Sequence, residues 1–123
     1  MKFELTTRQL VKLEELYRFI SQRSKLYFEA YDNHVDYFRV SLGKTTEPRE
    51  GKIYHCKVRI GYLGAQSVSV ENLDADPWVA INRAVERACW TASRRLQRQF
   101  RHDAKQMRSK LRPAMLLSAE SAA

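Results

Sequence analysis

The sequence predicts an α+β fold, a two-layer sandwich in which two helices cover one face of a four-stranded mixed sheet, in the order β-α-β-β-β-α. Four short segments alternate apolar and polar residues, as strands with one buried face do. Two longer segments repeat apolar residues every three or four positions, which is typical of amphipathic helices. One helical segment separates the first two strands and the other follows the last strand, which favours two layers around one core.

The N-terminal part of the chain is predicted to form a strand, a helix and a second strand. Phe3 and Leu5 alternate with polar residues, which indicates the first strand. A helix should follow, capped by Thr6 or Thr7 but regular only from near Leu13, with an apolar stripe of Leu13, Leu16, Phe19 or Ile20, Ser24 and Tyr27. That stripe ends around residues 31–33, where Asp and Asn favour a turn. The second strand buries Phe38, Val40 and Leu42, and its connection through a helix predicts parallel pairing with the first.

Two hairpins are predicted to add the remaining strands. Residues 43–51 form a polar loop between two glycines, which is a hairpin signal. The third strand should bury Tyr54, Cys56, Val58 and Ile60. Residues 61–64, again bounded by glycines, should turn the chain into a fourth strand that buries Val68 and Val70. Each strand then has one apolar and one polar face, as in a sheet covered on a single side.

The last helix has the clearest start signal. Asp76 can cap the free amides, and Pro77 suits the first helical position because its missing N–H needs no partner there. The expected buried stripe is Trp78, Ile81, Val85, Ala88, Ala92 and Leu96, with Trp78 as a core anchor. Periodicity decays past Arg101. We therefore expect a domain over residues 1–101 and a mobile C-terminal tail over residues 102–123. The tail is basic at first and then lacks a recognisable sequence pattern.

The charge imbalance lies in this last helical segment. Residues 83–112 contain ten basic and two acidic side chains, a net charge of +8, whereas residues 1–82 contribute only +1. Steps of three or four residues place one set of side chains on a single helix face: Arg83, Arg87, Trp90, Arg94, Arg98 and Arg101. A solvated face usually mixes Glu with Lys, and like charges repel. An almost pure arginine face with an indole therefore predicts binding to a polyanion, such as a phosphate backbone with exposed bases.

Several functional classes are disfavoured by the same sequence. No apolar run approaches eighteen residues and the N-terminus lacks a secretory pattern, so we expect a cytoplasmic protein without a membrane partner. Cys56 and Cys89 are expected to be buried, reduced thiols without a metal. His55 and Cys56 should point to opposite faces of a strand, so they cannot act together. We therefore expect neither catalytic residues, nor a cofactor, nor a small-molecule substrate, and the chain is predicted not to be an enzyme.

Two segments carry a resemblance to a known family. The first segment comprises residues 1–5, the helix ending near residue 32 and the strand over residues 38–42. It resembles the corresponding part of bacterial ribosome hibernation-promoting and ribosome-associated inhibitor proteins, which are also classed as sigma-factor modulation proteins. The helix start Asp-Ala-Asp-Pro-Trp-Val-Ala-Ile at residues 74–81, leading into a basic helix, is the most specific part. The resemblance covers about residues 1–101. It implies a fold similar to double-stranded-RNA-binding domains and a role in translation regulation under stress.

The resemblance also implies a partner and a set of contacts. Such proteins bind the small ribosomal subunit where messenger and transfer RNA sit, through basic residues of both helices. By position, the RNA-binding residues would be Arg87, Arg94 and Arg98, with Arg18, Gln22 and Lys25 from the first helix. A monomer is expected, with a weak dimer as the alternative. Two other functions stay open: a structured-RNA-binding module unrelated to ribosomes, and a protein-interaction regulator whose basic helix meets an acidic partner.

Trp90 departs from the family pattern, which often has a basic residue at this position. An indole on the basic face can stack on a base or lie on a neighbouring guanidinium. It can also pack under the tail, or belong to a dimer interface. Because it falls between Arg87 and Arg94, we predict that Trp90 is a recognition residue.

Overall fold

The predicted elements are present in the predicted order. The computed structural model describes the backbone of residues 1–47, 51–62 and 66–122, together with their side chains other than those of Asp32, Thr46, Glu47 and residues 108–122. Its elements are β1 (Lys2–Thr6), α1 (Leu13–Phe28), β2 (Val35–Glu47), β3 (Gly51–Tyr62), β4 (Val68–Asp74) and α2 (Pro77–Ala122). A 3-10 helix over Glu29–His34 joins α1 to β2. The chain divides into two compact units, Met1–Ser93 and Arg94–Ala123.

The sheet is four-stranded and mixed, with the strands in the order β1-β2-β3-β4. β1 and β2 run parallel, with Phe3 opposite Phe38 and Leu5 opposite Val40. β2, β3 and β4 follow one another antiparallel, as two hairpins require. The predicted fold class is therefore confirmed, with a β-α-β unit at the start of the chain and a meander after it.

The core of the first unit lies between the sheet and the helices. Alternation along the strands buries Phe38, Val40, Leu42, Cys56, Val58 and Ile60, and the helices bury Leu16, Ile20, Phe28, Ile81, Val85 and Ala88. Burying an aliphatic or aromatic side chain of this kind contributes about 1.5–3 kcal/mol. Within the described strands the opposite sheet face carries mostly polar side chains, as the alternation predicts.

The expected α1 stripe is wrong at its two ends. Leu13 is 54% exposed, and Phe28 rather than Tyr27 is buried. The four buried positions, Leu16, Ile20, Ser24 and Phe28, follow each other in steps of four, which rotates the buried face slightly from the predicted one. Tyr27 is thereby placed beside α2.

The predicted loop over residues 43–51 is also wrong in its bounds. β2 continues to Glu47 and β3 begins at Gly51, so only residues 48–50, which lie outside the described residues, separate the strands. Gly43 is a strand residue opposite His55, whose imidazole occupies the space a side chain would fill. Gly61 and Tyr62 of the predicted turn likewise belong to β3, with Gly61 under the Tyr37 ring, and the rest of that turn, residues 63–64, lies outside the described residues. Gly43 and Gly61 therefore allow close packing of a ring inside the sheet rather than forming the turns expected of them.

α2 differs from its prediction at both ends. Trp78 is half-buried rather than fully buried, although the other residues of the predicted stripe, Ile81, Val85, Ala88, Ala92 and Leu96, are buried as expected. The helical backbone continues past Arg101 to Ala122, because strong helix formers follow where the apolar period fades. Side chains beyond Met107 lie outside the described residues, and the mobility expected for residues 102–123 stays a prediction.

Candidate nucleic-acid interface

The start of α2 is set by two aspartates. Asp76 Oδ1 accepts hydrogen bonds from the backbone N–H of Trp78 at 2.8 Å and of Val79 at 3.3 Å. Asp74 Oδ1 accepts one from the N–H of Asp76 at 2.9 Å. The predicted cap is therefore confirmed, and both carboxylates are engaged at the helix N-terminus, where the helix dipole favours negative charge.

Three predicted site residues lie on the exposed side of α2 in the first unit. Arg83, Arg87 and Trp90 are all exposed, whereas Ile81 and Val85 on the other side of the helix are fully buried. Arg83 Nη1 lies 3.4 Å from Asp74 Oδ2, and its side chain is 64% exposed. Ion pairs this exposed contribute only about 0–1 kcal/mol, so Arg83 can exchange this carboxylate for a phosphate at little cost.

In the second unit the predicted residues also lie at the surface. Arg94, Arg98 and Arg101 are exposed, and so is Arg95 between them. Leu96 is 1% exposed, which marks the apolar side of this part of α2. The division into a basic and an apolar helix side, expected from spacing, is therefore present in both units.

The α1 residues implied by the resemblance are exposed but do not form the contact with α2. Arg18, Gln22 and Lys25 all lie at the surface. Arg18 borders an apolar groove of about 690 Å³ beside β1, which is also lined by Phe3, Leu5, Leu13 and Tyr17. Neither Arg83 nor Arg87 lines this groove.

Three other α1 side chains contact α2, and none of them belongs to the site predicted from the sequence. Arg23 Nη1 lies 2.7 Å from Glu86 Oε1, and the Tyr27 hydroxyl donates to Glu86 Oε2 at 2.6 Å. Phe19 meets Trp78 edge to face, with ring centroids 6.0 Å apart. The sequence feature that could have indicated this contact is Glu86, one of two acids in a strongly basic segment. Its partners could not be identified, because they are about sixty residues away along the chain.

The Glu86 contacts reduce the negative charge on the basic side of α2. The carboxylate faces a guanidinium at one oxygen and a phenol at the other, and its side chain stays 34% exposed. Donating this hydrogen bond to Glu86 raises the pKa of Tyr27 to about 12, because the bond requires the protonated phenol; partial burial and the negative charge of Glu86 act in the same direction. Arg23 also lies over the Phe19 ring, 5.2 Å from its centroid, which fixes the guanidinium between two partners.

Trp90 borders a surface depression next to this group. The indole is 56% exposed. The depression has a volume of about 470 Å³ and is lined by Trp90, Tyr27, Glu86, Arg87 and Thr91. An aromatic face, a carboxylate and an exposed guanidinium thus converge on one concave surface within the first unit.

The two thiols are placed as predicted. Cys56 and Cys89 are free and buried, and desolvation raises the pKa of each to about 12. A thiol with such a pKa is a poor nucleophile and a poor metal ligand near neutral pH, because the thiolate is the reactive form. Within the described residues, no three His, Cys, Asp or Glu side chains group closely enough to hold a metal ion.

None of the helices in the described part of the chain combines the length and apolar character that crossing a membrane requires.

The sequence matches no model of a known protein family. A search of curated proteins likewise finds no match.

Proposed function

We propose that this protein binds small-subunit ribosomal RNA through the basic side of α2, and so inhibits translation or preserves idle ribosomes. The observation that carries the proposal is the exposure of every arginine of the predicted stripe, namely Arg83, Arg87, Arg94, Arg98 and Arg101. The resemblance to ribosome hibernation and inhibitor proteins supplies the partner. The protein would act in the cytoplasm, by occupying RNA rather than by catalysing a reaction.

The charge distribution supports a phosphate-rich partner. The chain has a net charge of +8, and residues 83–112 alone account for a net +8. Arginine presents a planar fork of donors that matches phosphate oxygens in pairs. Glu86, an acid among these cations, is paired with Arg23, so it offers less repulsion to an approaching phosphate than an isolated carboxylate would.

Co-sedimentation of the full chain with purified small subunits across a salt series tests this proposal. Each phosphate contact contributes about −0.7 to −0.9 to the slope of log affinity against log salt, so about 4–6 contacts give a slope between about −3 and −5. Ribonuclease treatment of the subunits should abolish binding. A slope near zero would contradict an electrostatic RNA contact.

The same experiment separates the two alternatives. Equal affinity for subunits and for an unrelated RNA duplex would favour a general structured-RNA binder, since A-form RNA is recognised mainly by its shape and phosphates. Binding that survives ribonuclease would favour an acidic protein partner. Tight binding to subunits, weak binding to the duplex and sensitivity to ribonuclease are the results expected for the proposed function.

A further inference from the structure

The depression beside Trp90 has features that phosphate binding alone does not require. Arginines suffice to contact a backbone, yet this surface combines Trp90, which is 56% exposed, with Glu86, whose side chain is 34% exposed. Stacking of a base on an exposed aromatic side chain contributes about 1–3 kcal/mol. An RNA base can enter such a depression only when it is splayed out of a helix, because stacked bases present only their edges.

Glu86 is oriented so that it can still accept hydrogen bonds. Arg23 and Tyr27 approach one oxygen each, at 2.7 Å and 2.6 Å, and both side chains come from α1. A carboxylate offers about four lone-pair sites, and these two contacts use about two of them. The contacts from α1 also fix the carboxylate in position before a ligand arrives, which lowers the entropy cost of binding.

The donor pattern on a base decides which one this carboxylate would select. Guanine presents two neighbouring donors, N1–H and the 2-amino group, that can reach both oxygens of a carboxylate. Uracil presents a single N3–H, and adenine and cytosine each present one amino group beside a ring nitrogen that repels the carboxylate. A good bidentate contact discriminates against the wrong base by about 1–3 kcal/mol.

We propose that the depression takes an unpaired guanine, stacked on Trp90 and read by the Glu86 carboxylate, with Arg87 on a neighbouring phosphate. This inference rests on the proposed function, since it names the nucleotide that the RNA-binding surface selects. Arg23 is the positioning residue, because its guanidinium contacts one Glu86 oxygen at 2.7 Å. Its positive charge also reduces the repulsion between Glu86 and the phosphate. The Tyr27 hydroxyl holds the second oxygen and faces the same depression.

The test uses the full chain and five fluorescein-labelled hexanucleotides, titrated at low salt and followed by fluorescence anisotropy. All are oligouridine, with guanine, adenine, cytosine, inosine or uracil at the fourth position. We expect guanine to bind about tenfold more tightly than adenine, cytosine or uracil. Inosine keeps N1–H and lacks the 2-amino group, so it should retain about a threefold advantage. A wild-type protein with no guanine preference, or with equal affinity for inosine and guanine, would overturn the proposal.

Variants assign the preference to the carboxylate. In Glu86→Gln the guanine advantage should fall to within about twofold of the other bases, because the amide presents a donor where the carboxylate presents an acceptor. Asp103→Asn is the matched control, since it makes the same charge change at the other acid of the basic segment, which is exposed, and it should keep the tenfold preference. Trp90→Ala should weaken all five hexanucleotides by a similar factor. If Asp103→Asn loses the preference equally, net charge explains the effect and the proposal fails.

Glu86→Gln also changes the contact between α1 and α2. A second variant therefore distinguishes loss of base recognition from loss of that helix contact. Trp78→Leu removes the ring contact between α1 and α2 at Phe19 and leaves Glu86, Arg23 and Tyr27 unchanged, so it should keep the guanine preference. Loss of the preference in Trp78→Leu would show that it depends on the helix contact instead, which overturns the proposal. Intact small-subunit binding with no guanine preference would reject the guanine site alone, whereas no binding to any RNA would reject the proposed function as well.

Discussion

The Tyr27 hydroxyl donates a hydrogen bond to Glu86 Oε2 at 2.6 Å, linking α1 to α2 next to the basic side of α2. The other Glu86 oxygen lies 2.7 Å from Arg23. An acid in the middle of an arginine-rich helix is thus explained by its tertiary partners. The arrangement leaves the neighbouring Arg87 exposed and gives Glu86 a fixed orientation at the edge of the proposed RNA surface.

The stabilisation that this hydrogen bond provides should be lost at high pH. The folded protein holds the pKa of Tyr27 at about 12, above the ordinary value of 10.0 for a tyrosine side chain. A group whose pKa is raised by folding stabilises the protein fully below its unfolded pKa and loses that contribution as the pH rises through the folded value. The contribution of Tyr27 should therefore decline between about pH 10 and pH 12.

Comparison of wild type with Tyr27→Phe checks this expectation. The difference in their free energies of unfolding, measured in urea, should shrink as the pH rises above 10. In parallel, the wild-type absorbance change of tyrosinate should contain a component with a midpoint near pH 12 that the variant lacks. A Tyr27 that titrates near pH 10 would contradict the hydrogen bond.

Removal of three arginines should weaken ribosome binding and leave the fold intact. Arg87, Arg94 and Arg98 are exposed, so their replacement by alanine should change stability by no more than about 0.5 kcal/mol each. The slope of log affinity against log salt should become shallower by about 2 to 3, since each lost phosphate contact removes about one unit.

Lys44, Lys52 and Lys57 provide the matched control. They are exposed residues of β2 and β3, and their replacement by alanine makes the same change in net charge. The lysine variant should bind subunits nearly as well as wild type. If both triple variants lose affinity equally, general charge rather than the α2 surface governs binding, and an unfolded arginine variant would show that the helix sides are misassigned.

The two cysteines should react slowly in the native protein. Burial raises the pKa of Cys56 and of Cys89 to about 12, so the thiolate is scarce at pH 8. A chromogenic disulfide reagent should label both thiols at once in denaturant but only slowly under native conditions, at a rate limited by opening of the structure. Rapid stoichiometric labelling of native protein would contradict their burial.

The turn between β1 and α1 contains a position at which glycine should stabilise the protein. Arg8 and Gln9 have φ values of 49° and 64°, in the left-handed region that disfavours residues with a Cβ. Leu10 N–H donates to the Thr7 carbonyl at 3.0 Å, which closes the turn. Gln9→Gly relieves this strain, so we expect a gain of about 0.5–1 kcal/mol in the free energy of unfolding.

Urea unfolding of Gln9→Gly beside Gln9→Ala measures this gain. Alanine keeps the Cβ and should leave stability close to that of wild type, because the strained φ is unchanged. A similar gain in both variants would attribute the effect to loss of the glutamine side chain, and a loss in Gln9→Gly would show that the entropy of the unfolded chain outweighs the strain.

The sequence alone was sufficient for the fold class and for the two sides of α2. Alternation of apolar residues predicted the buried faces of β2 and β3, and the Asp76 cap predicted where α2 begins. These features depend on neighbours within a few residues, so local spacing determines them. Local spacing does not predict the strand at residues 43–47, because a glycine that makes room for a ring from another strand resembles a glycine of a turn.

Only the tertiary structure decided what surrounds the basic side of α2. Arginine spacing predicted an exposed stripe, and those residues are exposed in the structure. The spacing could not indicate that Tyr27 and Arg23 contact Glu86. It could not indicate either that Arg18 lies beside the β1 groove, away from this contact. The physical reason is that helical periodicity specifies which residues share one face of one helix, whereas contacts between helices depend on how both pack on the sheet.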